Sequence, residues 1–474
     1  MRKTKIIKLP ISKQIDVNFR NYALYVLERR GIPAWEDGLT SVQRLILLNA
    51  PDKFNKTLTL TGDCIKDGYH HGDASLTSAI QKLARPFGCS DQLLIGDGFF
   101  GSPVKPEAAA ARYTQVKMNP KFREAIKENA FLNSKDDEGS WYPLHVNLPI
   151  GLTSPVVGIA VGYKSTILPR RLEDIQKYQD GKIKEVKPYF RDFTGKIERY
   201  SNMDKTWLLS GDVTIDEKSN TIIIKDLPPM LRFDSFIAKI EKIIDEFGSK
   251  VKIYNNSSIK ADMRIVFLGV QNDWKQFKEA VLKATKMLVT ECPVFIKDGT
   301  VLVYDKLEDY FDDFKYRQKE IEVKTTQYNL SVDESELEYN KAKKEYLEWM
   351  LKTKRKEDEI ETFLKKYKKE ISARLDGILL KRLNTNELDR VKELIAKYTD
   401  EIKEIKKKLK ELLKEFEKME DTSRKRGVKN KQSKDLFEEV EVIDGIEVFK
   451  GDYEKADVDD NSFDPAELEE NELI

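Results

Sequence analysis

Three sets of apolar residues near the N-terminus each predict a short helix. Their members lie three or four positions apart, the spacing of one helical face. They are Leu24 and Leu27 before Ile32-Pro33, then Val42 to Leu48, then Leu76, Ile80 and Leu83. Asp73 or Ser75 is the expected N-cap of the third helix. Short helices joined by tight turns are typical of a helix-turn-helix module.

The pattern changes after about residue 140, where runs of β-branched residues predict strands. These runs are residues 155–161, 221–224, 264–268, 294–296 and 301–304. Asp298-Gly299 between the last two is a strong hairpin signal. A helix over residues 236–243 lies among them. The sequence therefore predicts an α+β domain up to about residue 305.

A long seam of apolar residues alternates spacings of three and four near the C-terminal end of the chain. Its members are Leu388, Val391, Ile395, Tyr398, Ile402, Ile405, Leu409, Leu412, Phe416 and Met419. The flanking positions are mostly Lys and Glu, which predicts a coiled coil. The helical run 307–330 is the expected antiparallel partner, and an ordinary amphipathic surface helix is the alternative. Residues 421–474 hold few apolar residues and are expected to form a flexible tail.

Charge is distributed unevenly although the net charge of the 474 residues is only +1. From Asp435 to Ile474 there are 16 acidic and 2 basic residues, a balance of −14, so the preceding residues carry +15. A basic body with an acidic tail suggests a polyanionic partner for which the tail competes. A solubilising tail and a scattered basic surface explain the same numbers.

Several classes of protein are disfavoured by composition. No window of about 18 apolar residues is present, so a transmembrane span and a membrane partner are not expected. The N-terminal residues lack the apolar core of a secretory signal. Three cysteines, Cys64, Cys89 and Cys292, suit a reducing compartment, and a cytoplasmic location is expected.

A glycine-rich stretch, Gly96-Asp97-Gly98-Phe99-Phe100-Gly101, matches the dinucleotide-binding fingerprint. That fingerprint requires a helix to open at its third glycine. Pro103 and Pro106 follow instead, so we interpret the glycines as a turn in which backbone packs closely.

Two adjacent histidines, His70 and His71, stand out in a chain with only one other, His145. No cysteine or carboxylate lies at zinc-ligand spacing from them, and no metal site is predicted. The residues alone leave two interpretations open: a structural pair, or hydrogen-bond donors to phosphate.

The stretch 108–114, Ala-Ala-Ala-Ala-Arg-Tyr-Thr, places Arg112 and Tyr113 after a run of small residues. A tyrosine hydroxyl can attack phosphorus if a neighbouring guanidinium activates it and holds a non-bridging oxygen. A half-buried tyrosine with an arginine lying over it is the structural alternative.

Taken together, these motifs resemble those of type IIA DNA topoisomerases. The stretch 37–44 resembles the family's D-G-L-K-P-V-x-R motif, and 69–73 its Y-H-x-G-D/E motif. The stretch 96–102 resembles D-G-x-G-N-F-G-S, 110–114 matches A-A-x-R-Y-T, and 158–169 resembles G-I-A-V-G…I-P-P. Five motifs in the family's order are a specific signal. Thr40-Ser41, Leu45, Phe99 and Arg170 depart from the pattern.

The resemblance implies only the breakage-reunion subunit, because the sequence shows neither an ATP site of the GHKL type nor a metal cluster of the topoisomerase-primase (TOPRIM) type. In size it is closest to the medium subunit of T-even-type bacteriophage enzymes. The implied fold is α+β and multidomain: an N-terminal arm and winged-helix (CAP-like) DNA-gate domain over 1–150, an α/β tower over 151–305, an antiparallel coiled coil with a helical C-gate over 306–425, and an acidic tail over 426–474.

The resemblance also implies roles for individual residues. Tyr113 would attack a DNA phosphodiester and leave a 5′-phosphotyrosyl enzyme, with Arg112, Arg30, His70 and His71 assisting catalysis. A second set would bind DNA, with Ile167 as a wedge that bends the duplex. This DNA-binding set comprises Arg44, Gln43, Thr114, Ile167 and Lys164.

The implied enzyme is an ATP-dependent type II topoisomerase that relaxes or decatenates double-stranded DNA. It would be a homodimer closed at the DNA gate and the C-gate. ATP and Mg²⁺ would be bound by a partner subunit with ATPase and TOPRIM domains, in the host cytoplasm if the source is viral. The alternative is a non-catalytic architectural protein that binds DNA through its winged helix and coiled coil.

Overall fold

The computed structural model describes residues 11–137, 139–200, 205–352, 357–378, 385–419, 440–443 and 446–449. The chain divides into two units, Met1–Arg424 and Lys425–Ile474. In the second unit, Val440–Ile443 and Ile446–Phe449 pair as an antiparallel hairpin, which the sequence did not predict. The other residues of the predicted flexible tail lie outside the described part of the chain.

The N-terminal part of the first unit is a group of helices beside a small sheet. Its helices are α1 (Ile11–Val26), α2 (Ser41–Asn49), α3 (Thr57–Lys66), α4 (Asp73–Leu83) and α5 (Pro120–Glu128). A wider π-helical turn, Leu27–Gly31, continues α1. The sheet is antiparallel in the order β1 (Asn55–Lys56), β3 (Gln115–Met118), β2 (Leu94–Asp97).

The ends of these helices follow local sequence in part. Thr40 and Gln43 form a capping box at the start of α2, where each side chain binds the other's backbone N–H. The predicted cap of α4 was wrong, because Gly72 occupies the N-cap position and Asp73 is already helical. Helix α3 was missed, since its Thr-Leu-Thr-Leu start reads as a strand.

A second group of elements follows: the hairpin β4 (Val156–Ala160) and β5 (Tyr163–Ile167), helix α6 (Leu172–Gln179), and the hairpin β13 (Val294–Lys297) and β14 (Thr300–Val303). The last hairpin turns at Asp298 and Gly299, whose φ angles are 48° and 72°. Both residues are in the left-handed region that a two-residue type I′ turn needs, so this predicted hairpin is confirmed.

An α/β region lies between these hairpins. Its larger sheet is antiparallel in the order β10 (Val251–Asn255), β11 (Met263–Phe267), β9 (Thr221–Asp226), β8 (Asp212–Asp216). Helices α7 (Phe233–Phe247) and α8 (Gln271–Ala284) share one hydrophobic cluster with it, which includes Phe236, Phe267 and Trp274. A smaller sheet has the order β12 (Lys286–Thr290), β7 (Thr206–Ser210), β6 (Lys196–Arg199).

Two long helices form the C-terminal part of the first unit, α9 (Leu307–Lys352) and α12 (Thr385–Lys418), with α10 (Glu357–Leu364) and α11 (Lys369–Asp376) between them in sequence. Lys319 pairs with Glu415 at 2.7 Å, Glu334 with Lys406 at 2.7 Å, and Lys343 with Glu387. The order of these pairs shows that α9 and α12 run antiparallel. The contact reaches well beyond the predicted partner segment 307–330.

The first turns of α9 belong to the core of the N-terminal part. The Trp35 indole donates a hydrogen bond of 2.9 Å to the Tyr304 hydroxyl, and the Tyr310 hydroxyl donates one of 2.9 Å to the Trp35 carbonyl. Tyr310 and Phe314 pack against the Trp35 ring. The long helix is therefore fixed at its N-terminal end.

No helix in the described ranges is both long and apolar enough to cross a lipid bilayer.

Candidate functional site

Tyr113 is a strongly exposed side chain, with 75% of its surface accessible. It lies two residues before the start of β3 at Gln115. Its amide donates to the Ala110 carbonyl at 2.8 Å. The next residue, Thr114, is buried, and its hydroxyl lies 2.8 Å from that of Thr57. A buried neighbour therefore fixes the backbone while the phenol remains accessible.

The loop that carries Tyr113 is held along its length. Ala109 donates to the Phe99 carbonyl at 2.9 Å, and Gln81 from α4 donates to the Ala109 carbonyl at 2.9 Å. Gly101, with φ at 88°, lies so close to Pro106 that a Cβ would come within 2.4 Å of its carbonyl oxygen. No helix opens at Gly101, so the glycines form the close-packed turn that we predicted rather than a dinucleotide site.

Arg112 is exposed beside the nucleophile candidate. Its guanidinium carbon lies 5.8 Å from the centre of the Tyr113 ring, within the range of a weak cation–π contact. The Tyr113 hydroxyl makes no hydrogen bond with any residue that the structure describes. A positive charge and a free hydroxyl thus stand together at the surface, where an anionic substrate can reach both.

A second cluster joins Arg30, His71 and Tyr25. The Arg30 Nη2 lies 3.0 Å from Nδ1 and 3.2 Å from Nε2 of His71, and the Tyr25 hydroxyl lies 2.6 Å from Nε2. Partial burial and then the charge of Arg30 lower the pKa of His71 below its ordinary 6.5. A neutral imidazole is therefore favoured near pH 7, which suits a guanidinium that can only donate hydrogen bonds.

The structure brings the five predicted catalytic residues together only in part. Arg112 lies by Tyr113, and Arg30 lies by His71, but in the described contacts of one chain the first pair does not touch the second. His70 is exposed and makes no hydrogen bond with the described residues. Among the described residues, no group of three or more His, Cys, Asp or Glu side chains is arranged to hold a metal ion.

Most of the predicted DNA-binding residues have partners within the fold. Arg44 is buried and donates to both oxygens of Asp37, at 2.8 and 3.1 Å. Gln43 caps α2, and the Thr114 hydroxyl is bonded to Thr57. A phosphate contact by any of them requires these internal bonds to break. Lys164 is exposed on β5, as a DNA-binding residue must be.

Ile167, the predicted wedge, lies in the core, where only 1% of its surface is accessible. A side chain that inserts between base pairs must be accessible. Ile159 on the partner strand β4 is 68% exposed, and Val157 and Val161 are exposed beside it in sequence. Apolar residues at every second position, 157, 159 and 161, are the sequence signal for this exposed strand face, and the sequence analysis missed it.

The same hairpin places a cation next to this apolar side chain. Ile159 and Lys164 are directly opposed in the β4–β5 register, so their side chains share one face. The hairpin also packs against the turn that carries Arg30, because a Cβ at Gly158 would lie 1.8 Å from the Gly31 carbonyl oxygen. Glycine at both positions 31 and 158 allows the two backbone segments to pack this closely.

Glu36 is a buried carboxylate that sequence reasoning also missed. Burial raises its pKa to about 7, against an opposing effect of Arg317. One of its oxygens, Oε2, has no hydrogen-bond partner among the described residues. The protonated form is therefore the favoured one in the folded chain below about pH 7.

Glu36→Gln is therefore expected to stabilise the protein at pH 8 and to have little effect at pH 4. A raised folded-state pKa means that folding is penalised as pH rises from about 4.5 to about 7, and the amide removes that penalty, by up to about 3 kcal/mol. Thermal melting at several pH values measures it. An equal shift of the melting temperature at every pH would contradict the assignment.

Comparison with known proteins places this geometry in a family. A model of the A subunits of DNA gyrase and topoisomerase IV matches residues 30–426. The DNA topoisomerase medium subunit of Enterobacteria phage T4 is 25% identical over 347 residues, 67% of this chain and 74% of that protein. The DNA gyrase A subunit of Deinococcus deserti is 30% identical over 269 residues, 50% of this chain but 33% of that protein. The match thus spans about a third of the gyrase protein.

A solved structure is similar in fold. The Plasmodium falciparum topoisomerase II DNA-binding, cleavage and re-ligation domain superimposes with a TM-score of 0.69 at 19% identity, covering 88% of this chain and 64% of that one. The predicted mixed α/β class is confirmed by this likeness, and the resemblance inferred from the five motifs is confirmed by the family model. The chain belongs to the family of DNA gyrase and topoisomerase IV A subunits.

Proposed function

We propose that this chain is the DNA-cleaving and rejoining subunit of an ATP-dependent type II topoisomerase. The observation that carries the proposal is the accessible hydroxyl of Tyr113, held on a fixed backbone beside Arg112 in a chain of this family. The proposed roles of the other residues follow from where each side chain lies.

In the proposed reaction the Tyr113 oxygen forms a bond to a DNA phosphorus atom as the bond to the 3′ oxygen breaks. The phenol loses its proton, and the 3′ oxygen leaves as a hydroxyl, so the cut strand carries a 5′-phosphotyrosyl end. Arg112 stabilises the charge on the non-bridging oxygens. Attack by the 3′ hydroxyl reverses every step and rejoins the strand. Two chains related by a twofold axis cut the two strands.

The Arg30–His71 cluster contributes hydrogen-bond donors for the phosphates beside the cut. Both side chains are exposed, and Arg30 carries a fixed positive charge. Since neither touches Tyr113 within one chain, DNA itself links the two groups in this proposal. Mg²⁺ and ATP are assigned to a partner subunit in this proposal, since no group of three or more His, Cys, Asp or Glu side chains among the described residues is arranged to hold a metal ion.

The finer architecture is proposed on the same basis. In this proposal the helices α2 to α4 and the sheet β1–β3–β2 form the winged-helix DNA gate. The α/β region forms the tower. Helices α9 and α12 form the coiled coil that leads to a dimeric C-gate. The antiparallel ion pairs between α9 and α12 support the coiled coil. The domain borders remain predictions. The hydrogen bond from the Tyr310 hydroxyl to the Trp35 carbonyl crosses the predicted border near residue 305.

Trapping of a covalent adduct tests the proposed function. The full chain is mixed with end-labelled duplex DNA, Mg²⁺, ATP and a partner ATPase subunit, then denatured with detergent. Label attached to this chain through a 5′ end supports the proposal. Intact DNA binding without an adduct, in the presence of a partner shown to associate, would leave the architectural DNA-binding protein as the better description.

Ile159→Ala is expected to reduce both DNA bending and cleavage, the latter by about tenfold, because unstacking a base step needs an inserted apolar side chain. Fluorescence energy transfer between the ends of a short duplex measures the bend. Ile167→Ala serves as the contrast: it removes a core side chain and costs about 2–5 kcal/mol of stability. A bend unchanged by Ile159→Ala would rule out the wedge on this hairpin.

A further inference from the structure

A surface loop, described over residues 133–137 and 139–142, contacts the segment that carries Arg30 and the segment that carries His71. The loop is folded by its own bonds: Asp136 donates its amide to the Ser140 carbonyl at 2.8 Å, and the Ser140 amide donates to Asp136 Oδ1 at 2.8 Å. Lys135 and Trp141 form an antiparallel bridge across it. The loop is thus a compact unit with two neighbouring, oppositely charged residues, Lys135 and Asp136.

The first contact is with the turn that carries Arg30. The other oxygen of Asp136, Oδ2, accepts a hydrogen bond of 2.7 Å from Nη2 of Arg29, the residue next to Arg30. Both side chains of this ion pair are largely shielded from solvent, at 26% and 17% exposure. Partial burial makes the pair less subject to screening than a fully exposed one.

The second contact is with the segment that carries His71. Asp67, at the end of α3, accepts hydrogen bonds from Lys135 Nζ at 2.6 Å and Trp141 Nε1 at 3.2 Å. Asn49 from α2 donates a third bond to Asp67, at 2.9 Å. Burial alone would raise the pKa of Asp67, but these bonds outweigh it and lower the pKa, so the carboxylate is ionised and holds the loop.

Successive side chains of an extended segment point in opposite directions. Lys135 and Asp136 therefore reach two different segments from adjacent positions, Asp67 on one side and Arg29 on the other. These targets lie one residue before Arg30 and four residues before His71. The loop spans the two segments at a fixed separation.

We propose that residues 133–137 and 139–142 are a positioning clamp that holds the guanidinium of Arg30 at the imidazole of His71. The inference rests on the proposed function only for the role of these two side chains toward DNA. An exposed hydrogen bond between two such side chains is by itself worth about 0–1 kcal/mol, so it cannot order them. The clamp instead orders the two side chains by holding the backbone segments that carry Arg30 and His71.

Asp136→Asn tests the clamp with little change in shape. The amide keeps an oxygen for the Ser140 amide and loses the charge that holds Arg29. Asp137→Asn is the matched control, because Asp137 is the neighbouring, exposed carboxylate and forms no hydrogen bond or ion pair with the described residues. Both variants are made in the full chain.

The first measurement needs no DNA. The three histidines, His70, His71 and His145, give three ring signals in a nuclear magnetic resonance titration, and His71→Gln identifies the one of interest. Asp136→Asn is expected to raise the pKa of His71 toward its ordinary 6.5, because Arg30 moves away, whereas Asp137→Asn leaves it unchanged. An unaltered His71 titration in Asp136→Asn overturns the clamp.

The second measurement is adduct formation at saturating DNA. We expect Asp136→Asn to slow it about tenfold while the Kd for DNA changes less than threefold. A purely structural loop would instead change affinity, melting temperature and cleavage together, and that result also overturns the proposal. If the unsubstituted chain forms no adduct but the His71 titration responds as expected, the proposed function fails and the clamp stands.

A second variant covers the case in which Asp136→Asn does not fold. Lys135→Met keeps an apolar stem over the Trp141 ring, which Lys135 now covers at 4.8 Å, and releases Asp67. The same rise in the pKa of His71 and the same tenfold slower cleavage are expected. A soluble Lys135→Met protein with normal values for both contradicts the clamp.

Discussion

Tyr113→Phe is expected to abolish the covalent adduct with DNA and to change DNA affinity by less than about threefold. The substitution removes one oxygen, and that oxygen is the proposed nucleophile. It makes no hydrogen bond with the described residues, so its loss leaves the fold unaltered. Affinity for DNA comes mainly from many phosphate contacts, to which a single phenol adds little. Detergent trapping measures the adduct, and fluorescence anisotropy at fixed salt measures the Kd.

Tyr254→Phe is the matched control for this experiment. Tyr254 is another exposed tyrosine, on β10 in the α/β region, far along the chain from the proposed site. It should keep both the adduct and the affinity. An adduct that persists in Tyr113→Phe would assign the nucleophile elsewhere. A large loss of affinity would show that the hydroxyl serves DNA binding rather than cleavage.

Glu291→Ala is expected to destabilise the chain by about 3–5 kcal/mol, because it leaves a buried charge without its partner. Glu291 accepts two bonds from Arg170, at 2.7 and 3.0 Å, and one of 2.7 Å from the Trp207 indole. It also accepts a hydrogen bond of 2.7 Å from the backbone amide of Leu168. Four donors therefore lose their acceptor at once. The shift of the urea midpoint measures the effect.

A surface pair in the same region gives the control. Arg199 and Glu185 are 2.8 Å apart and each about one-third exposed, so Glu185→Ala should cost no more than about 1 kcal/mol. If Glu291→Ala and Glu185→Ala shift the urea midpoint equally, the buried pair does not hold the end of β5 to the α/β region.

Local signals in the sequence predicted elements whose conformation is decided locally. The hairpin at Asp298-Gly299 was predicted because those two residues adopt the positive φ angles that the turn requires. The apolar seam of α12 was predicted because its period is a property of the helix itself. The β5 strand was missed, since Tyr163 to Ile167 lack an alternating pattern, and Thr166 pairs with Cys292, which is distant in the sequence.

The site itself depends on contacts between distant residues. Arg30 and His71 are 41 positions apart, and only the family motifs indicated that they act together. The burial of Arg44 and Ile167 could not be predicted from motifs, because a motif shows which residue recurs and not which way its side chain points. Arg170 was noted only as a departure from the family, whereas the structure pairs it with Glu291, 121 positions away.

The anchoring of α9 beside Trp35 turns that helix into a lever arm. Its 46 residues, at about 1.5 Å each, reach about 69 Å from the fixed end. A rotation of about 5° at the Trp35 contact would move the far end by about 6 Å, simply by the length of the arm. A small change in the side-chain packing near Trp35 is therefore amplified along α9 into a much larger displacement of its distal end.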